Sequence, residues 1–310
     1  MKDTFGRTVD YLRFSLTKRC QLTCPHCAKN EGGCLKESEM KTDTVIRLSR
    51  LFGECGFRKI RFTGGEPLLR NDICEIISAV SDMPFYDDIA LTTNGQLLAL
   101  LASDLKQSGL YRVNISLNTL NAQRCKEMFG ADLSNTFSGI EAVFRHGLTP
   151  LKINTVILKG QNDDEIADFI ALAREYPLTV RFIELMPMGD SKEEGISGAQ
   201  ILRMYPQLLP VVNKADGVAM NYRESNAKGT VGFINPISSC FCDSCSRMRL
   251  TADGTLRPCL GNNLEIPLVD VMDNNDLIKQ RIQDAVRQKP CKNSFSEAFI
   301  TNRTMNNLGG

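Results

Sequence analysis

Between residues 11 and 185 the chain switches between two hydrophobic periods. Short runs of alternating apolar and polar residues predict strands at 11–16, 59–63, 88–93, 112–117, 151–158 and 178–183, because successive strand side chains point to opposite faces. Between these runs apolar residues recur at helical spacing. Val45, Leu48 and Phe52 form one stripe, and the stretch from Leu97 to Leu105 carries a second that Gly109 closes. Ile166, Phe169, Ile170 and Ala173 form a third, behind an Asn162/Glu165 pair that reads as a helix-start cap. Six strands in βα alternation predict an α/β fold with a parallel sheet, either doubly wound or curled into a partial barrel.

The strand faces favour the barrel. A parallel sheet covered on both sides reads as nearly continuous apolar sequence. Here one face of each strand is polar: Arg13 and Ser15; Lys59, Arg61 and Thr63; Thr92 and Asn94; Asn114, Ser116 and Asn118; Lys152 and Asn154; Arg181. The opposite faces carry Leu12, Phe14, Ile60, Phe62, Val113, Ile115, Ile153, Ile157, Val180 and Phe182. An eight-stranded barrel fills its lumen with branched apolar side chains. A polar lumen in six strands predicts an open, six-stranded partial (βα)6 TIM-like barrel built to hold a ligand. Five inward positions are basic: Arg13, Lys59, Arg61, Lys152 and Arg181. Any one of them could sit at a surface edge or pair with a carboxylate such as Glu184. Five on one face point to an anion, and a polyphosphate matches the arginine forks.

After residue 186 the alternation fades into Gly-, Ser- and Asn-containing stretches. The expected division is a barrel over 1–190 and a smaller C-terminal region over 191–310 that covers the barrel mouth. With 310 residues, 42% of them hydrophobic, the chain can bury a large core. Net charge is +1, which gives no support to a nucleic-acid or membrane-surface role. No apolar run approaches membrane-spanning length and the first residues resemble no signal peptide, so the expected location is cytoplasmic.

Twelve cysteines change the picture most. In a chain of this length, clustered cysteines predict metal ligands rather than a disulfide framework. Two groups stand out, Cys20-x3-Cys24-x2-Cys27 and Cys242-x2-Cys245-x13-Cys259. Each supplies three thiolates where a closed tetrahedral site needs four. Three sulfurs on a four-iron cube leave one iron open to a small molecule. The spacing of the first group suits a cube better than zinc, and Thr63-Gly64-Gly65-Glu66-Pro67 follows one βα unit later. Cys34, Cys55, Cys74, Cys125 and Cys291 sit apart and read as ordinary buried or free thiols.

With the CQLTCPHC and TGGEP stretches together, the chain resembles the radical S-adenosylmethionine (SAM) superfamily. One departure is His26, where that superfamily usually has an aromatic such as tyrosine. The stretch from Cys242 to Leu260, with YLRFSLTKRC, KIRFTGGEPLLR, LTTNG, RVNISL, KINTV, RFIELMPMG and the terminal Leu308-Gly309-Gly310, resembles the GTP 3′,8-cyclase (MoaA) family of molybdenum-cofactor biosynthesis. The resemblance implies two [4Fe-4S] clusters, the first on Cys20, Cys24 and Cys27 with SAM on its open iron. The second would sit on Cys242, Cys245 and Cys259 and bind the guanine ring. It further implies that a 5′-deoxyadenosyl radical takes hydrogen from C3′ of GTP, and that the sugar radical closes onto C8.

By motif match the resemblance places His26, Gly65, Glu66, Ser116 and Met186 at SAM. It places Arg13, Lys59, Arg61, Thr92, Lys152, Arg181, Arg247, Met248 and Arg249 at GTP. No side chain is assigned as nucleophile or acid–base catalyst. The implied partners are GTP, a reductant such as flavodoxin or ferredoxin, and cyclic pyranopterin monophosphate synthase of the MoaC family downstream; a homodimer stays open. Cys240, two residues before Cys242, offers an alternative. If it ligates, the second cluster is closed, and the chain reads instead as a peptide-modifying radical SAM enzyme. A zinc-stabilised nucleotide-binding module is the non-enzymatic alternative.

Overall fold

The computed structural model describes residues 1–27, 39–188, 193–211, 218–295, 299, 301 and 303–309. The first part of the chain runs β1 (Tyr11–Ser15), α1 (Thr42–Glu54), β2 (Lys59–Thr63), α2 (Ile73–Ser81), β3 (Asp88–Thr93), α3 (Leu98–Gln107) and β4 (Arg112–Ser116). It continues through α4 (Ala122–Phe129), α5 (Leu133–Arg145), β5 (Lys152–Val156), α6 (Ile166–Glu175) and β6 (Thr179–Ile183). All six strands fall where the alternation predicts them, with ends trimmed by up to two residues. Each pairs in parallel with the next.

The apolar strand faces are sealed by the helices. Leu12, Phe14, Ile60, Phe62, Val113, Ile115, Ile153 and Val180 have no exposed surface, nor do Val45, Leu48 and Phe52 on α1. Phe14 and Phe62 are register partners with ring centroids 6.3 Å apart. Truncating either to alanine would cost about 3–5 kcal/mol. The α3 stripe ends as expected, with Gly109 at φ +93°.

The Asn162/Glu165 pair does not cap α6. Its polar atoms go to loops instead. Asn162 accepts from Leu158 N and donates to the carbonyls of Asn118 and Val156, while Glu165 accepts from Thr119 Oγ1 and Leu120 N. These bonds stitch the loops after β4 and β5 at the strands' C-terminal ends. Local spacing resembled a capping box; long-range partners outcompeted it.

The later residues are α7 (Gly198–Met204), β7 (Leu209–Pro210), β8 (Met220–Arg223), β9 (Thr230–Ile234), β10 (Arg247–Leu250), β11 (Thr255–Arg257), β12 (Ile266–Pro267), α8 (Asn275–Arg287) and α9 (Met305–Leu308). They do not build a sheet of their own. β10 adds in parallel to β1 and β9 in parallel to β6, while β7, β8, β11 and β12 extend the two edges in antiparallel. The result is one sheet of twelve strands, in the order β12-β11-β10-β1-β2-β3-β4-β5-β6-β9-β8-β7. The expected boundary at 190/191 lies outside the described residues, as does Cys34. No described helix is long and apolar enough to cross a membrane.

Candidate functional site

The polar strand faces converge on one cavity of about 370 Å³. Its wall takes Arg247 and Arg249 from β10, Tyr11 and Arg13 from β1, Arg61 and Thr63 from β2, and Thr92 from β3. It continues with Asn114 and Ser116 from β4, Lys152 and Asn154 from β5, Arg181 from β6 and Ile234 from β9. Strands at both ends of the parallel run reach the same space, so the sheet curls around it. Both cysteine groups also line it.

Register concentrates the charge. Arg249, Arg13 and Arg61 are direct partners across three adjacent strands. Arg61 and Arg249 are buried and Arg13 half-buried. Burial and the charges of Arg249, Arg247 and Arg61 lower Arg13 far below the usual arginine range. Burial and the neighbouring Arg247 and Arg257 lower Arg249 to about 10. Such mutual repulsion in a polar cavity is the electrostatic form of an anion site. Tyr11 accepts a hydrogen bond from Arg61 Nε. Burial alone would raise its phenol, but Arg61, Arg13 and Arg247 outweigh that and lower it to about 8. Across the cavity, the amide oxygens of Asn114 and Asn154 are buried without a hydrogen-bond partner among the described residues.

The first cysteine group follows β1 and is held by the loop after β2. Gly65 N donates to Thr17 O and Glu66 N to Arg19 O, each at 2.7 Å. A Cβ on Gly65 would stand 2.2 Å from Arg19 O, so only glycine fits this approach. Glu66 is buried behind the loop rather than lining the cavity; its carboxylate accepts from Leu68 N, Thr93 Oγ1 and Asn94 N at 2.7–3.0 Å. Burial pushes it up to about 7 despite those donors. The Cys24 and Cys27 thiols are raised by burial and by their cysteine neighbours, Cys27 to about 12. A bound metal supplies the positive charge that turns such thiols into ligands. His26 faces the same space. Burial lowers it to about 4, so it is neutral, and its Nδ1 has no partner among the described residues.

At the second group, Cys242 Sγ accepts from Asn293 N at 3.4 Å and Asn293 Nδ2 at 3.3 Å. Lys289, only 3% exposed, donates to Arg247 O and Pro258 O, each at 2.7 Å. It thereby staples the Cys245 strand to the Cys259 turn. Burial would raise the Cys245 thiol, but Lys289 and Arg247 outweigh it and lower the thiol. Donors to sulfur and a buried cation suit a thiolate cluster. Cys240 is exposed and does not line the cavity, although its thiol is near enough to that of Cys242 to raise it. Among the described residues, no three His, Cys, Asp or Glu side chains crowd around one point as ligands of a single ion would. Thiolates on a cube bind separate irons and stand at separate corners.

Leu308 and Gly309 reach into this arrangement. Arg249 Nη1 donates to Leu308 O at 3.2 Å and to Gly309 O at 3.3 Å. Gly309 has φ +79°, and a Cβ there would stand 2.6 Å from Thr63 Oγ1 and 2.7 Å from Ser15 Cβ. Gly310 lies outside the described residues.

Most of the expected site residues therefore meet: the six triad cysteines, His26, Gly65, Ser116, Met186, Arg13, Arg61, Thr92, Lys152, Arg181, Arg247, Met248 and Arg249 all line the cavity. Glu66 stands behind the wall. Lys59 does not join them. It has the face of Arg61 but begins β2, two residues nearer the strand's N-terminal end, where it is exposed. Face parity does not report depth along a barrel. Sequence reasoning did not single out Tyr11, Lys289 or Asn293, whose partners are distant in sequence.

Comparison with known proteins agrees with this geometry. The Radical SAM superfamily matches residues 14–173, and Molybdenum Cofactor Synthesis C matches residues 178–295. The GTP 3′,8-cyclase of Alkaliphilus metalliredigens is 41% identical over 320 residues, covering 100% of both chains. That of Clostridium botulinum is 41% identical over 304 residues, covering 96% of this chain and 95% of its own. Among solved structures, SuiB of Streptococcus suis bound to the precursor peptide SuiA superposes with a TM-score of 0.66 at 15% identity, over 98% of this chain and 71% of that one. That likeness is one of fold.

Proposed function

The chain belongs to the GTP 3′,8-cyclase family of radical SAM enzymes, and from that premise we propose how its cavity divides the work. SAM and the first cluster take the Cys20–Cys24–Cys27 end; GTP takes the end framed by Arg249, Arg13 and Arg61, with a second cluster on Cys242, Cys245 and Cys259. The family's reaction converts GTP to 3′,8-cyclo-7,8-dihydro-GTP, the first step of molybdenum-cofactor biosynthesis. The observation that carries the assignment is the in-register arginine row facing the same cavity as both cysteine triads.

Cys20, Cys24 and Cys27 would hold the first cluster, which when reduced and carrying SAM would supply the 5′-deoxyadenosyl radical chemistry directed at C3′ of GTP. The chain's own residues bind, orient and exclude water. The arginine row, with Lys152 and Arg181, neutralises the triphosphate; charge-assisted contacts of this kind contribute roughly 1.5–3 kcal/mol each. The unpaired amide oxygens of Asn114 and Asn154 accept from ribose hydroxyls or guanine N–H groups. Neutral His26 offers its ring nitrogen to SAM, and Gly65 keeps the loop after β2 pressed against the cysteine loop. The tail carbonyls of Leu308 and Gly309 fix Arg249. A primary carbon radical survives long enough to react only where water is scarce and the hydrogen donor is held close. A flavodoxin- or ferredoxin-type carrier supplies the electron, and a synthase of the MoaC family consumes the product.

Metal analysis and anaerobic turnover test this reading together. It expects about eight irons per chain and SAM cleavage that GTP stimulates. About four irons would remove the second cluster, and cleavage indifferent to GTP would remove the nucleotide.

A further inference from the structure

The tail is tied down by an ion network whose Arg303, Asp253, Glu265 and Lys18 do not line the cavity. Arg303 donates from Nη1 to Asp253 at 2.6 Å, and from Nε and Nη2 to Glu265 at 2.7 and 2.9 Å. Asp253 lies in the turn between β10 and β11, and Glu265 leads into β12. Asp253 also accepts from Thr251 Oγ1 at 2.6 Å and from Lys18 Nζ at 3.1 Å. Lys18 stands two residues before Cys20, and its carbonyl accepts from Asn306 Nδ2 at 2.8 Å. A closed circuit results: tail to β10–β11 turn, turn to first-cysteine loop, loop back to tail. Arg257, wholly buried, adds a second cation on Glu265 at 2.6 Å.

The circuit adds a polar anchor to the small apolar cluster of Met188, Phe295 and Leu308 that seats the far end of the tail. α9 has four residues, too few for an isolated helix to persist in water. Side-chain exposures of 18% for Arg303 and 27% for Asp253 shelter the pair from full solvent screening. Beyond the circuit, the tail delivers its carbonyls to Arg249, which lines the cavity.

We propose that Arg303 is a positioning residue: it anchors the Gly309 end of the tail to both the β10–β11 turn and the first-cysteine loop, and so fixes Arg249, and through it GTP, relative to the radical source. The proposal rests on the function assigned above. Loosening the anchor leaves SAM cleavage running but misaligns the hydrogen donor. The radical is then quenched by one electron from the reductant and one proton from water, and 5′-deoxyadenosine accumulates without cyclised product.

The test compares Arg303→Gln, Arg303→Lys and Asp253→Asn in the cluster-loaded enzyme by the ratio of 5′-deoxyadenosine to cyclised product, alongside iron content and melting temperature. For Arg303→Gln the ratio is expected to rise at least fivefold, with product kcat falling about tenfold, KM for GTP changing less than threefold and iron unchanged. Arg303→Lys should recover part of the coupling, and the Arg303→Gln/Asp253→Asn pair should be no worse than the worse single change. An unchanged ratio would overturn the proposal. So would 5′-deoxyadenosine and product falling in parallel with lost iron or a lowered melting temperature, the mark of a purely structural residue. Wild-type cleavage that GTP does not stimulate would instead refute the underlying function, and this is read before any variant is compared.

Discussion

Replacing Arg13 with methionine probes the arginine row at its centre. Neighbouring strands stand about 4.8 Å apart, so in-register guanidinium groups held ~5–8 Å from one another repel by roughly 2–3 kcal/mol at an effective dielectric of 20. Arg13 has such a neighbour on each side, Arg249 and Arg61. Methionine keeps most of the side-chain volume and removes the charge. The free protein should therefore be no less stable, and should melt a few degrees higher if even ~1–2 kcal/mol of repulsion is recovered. GTP affinity should move the other way. Losing one charge-assisted phosphate contact of ~1.5–3 kcal/mol weakens binding about 10- to 150-fold. Anaerobic calorimetric titration with GTP and a thermal melt of the ligand-free protein measure the two effects. Affinity within twofold of wild type would refute the phosphate assignment. Affinity and free-protein stability falling together would make Arg13 a structural residue instead.

Other substitutions separate the remaining parts of the site. With its folded pKa lowered from 10 to about 8, Tyr11 gains a negative charge as pH rises through about 8, so GTP affinity should fall from about pH 7 to about pH 9; Tyr11→Phe should flatten that limb, and an equally steep profile in the variant would clear Tyr11 of the effect. The same lowered pKa adds folding stability as pH climbs from about 8 toward 10, and that rise should also vanish in Tyr11→Phe. Lys289→Met leaves one buried and one part-buried carbonyl without this donor, at about 1–3 kcal/mol for the buried one; iron per chain after gel filtration should drop toward one cluster, and full iron retention would show the staple to be dispensable. Cys240→Ser should keep iron and turnover within twofold, whereas iron lost from the second site would make Cys240 a ligand and close that cluster.

How far the sequence carried the account depended on the range of each interaction. Strand positions and the inward face of Arg13, Arg61, Lys152 and Arg181 followed from period-two alternation, which is a local property. The Cys20–Cys24–Cys27 group was legible because it falls within one loop, whereas Cys259 is separated from Cys242 and Cys245 by β10 and β11 and joins them only at the cavity wall. Lys59 went astray because alternation reports a face but not a depth. Asn162 and Glu165 did so because their polar atoms bind loops up to 46 residues away. β9 falls where the alternation fades and β10 lies inside the second cysteine group, and only pairing to the edges of β6 and β1 makes them strands of the sheet. The Arg303 circuit spans 235 residues between Lys18 and Asp253, and no local pattern records it.

The central claim is that one cavity holds the radical source and GTP close enough for direct hydrogen transfer. Anaerobic turnover with GTP carrying deuterium at C3′ tests it most directly, by mass spectrometry of the 5′-deoxyadenosine formed. The account predicts one deuterium in the 5′-deoxyadenosine for each cyclised product. Unlabelled 5′-deoxyadenosine accompanying full product formation would contradict it.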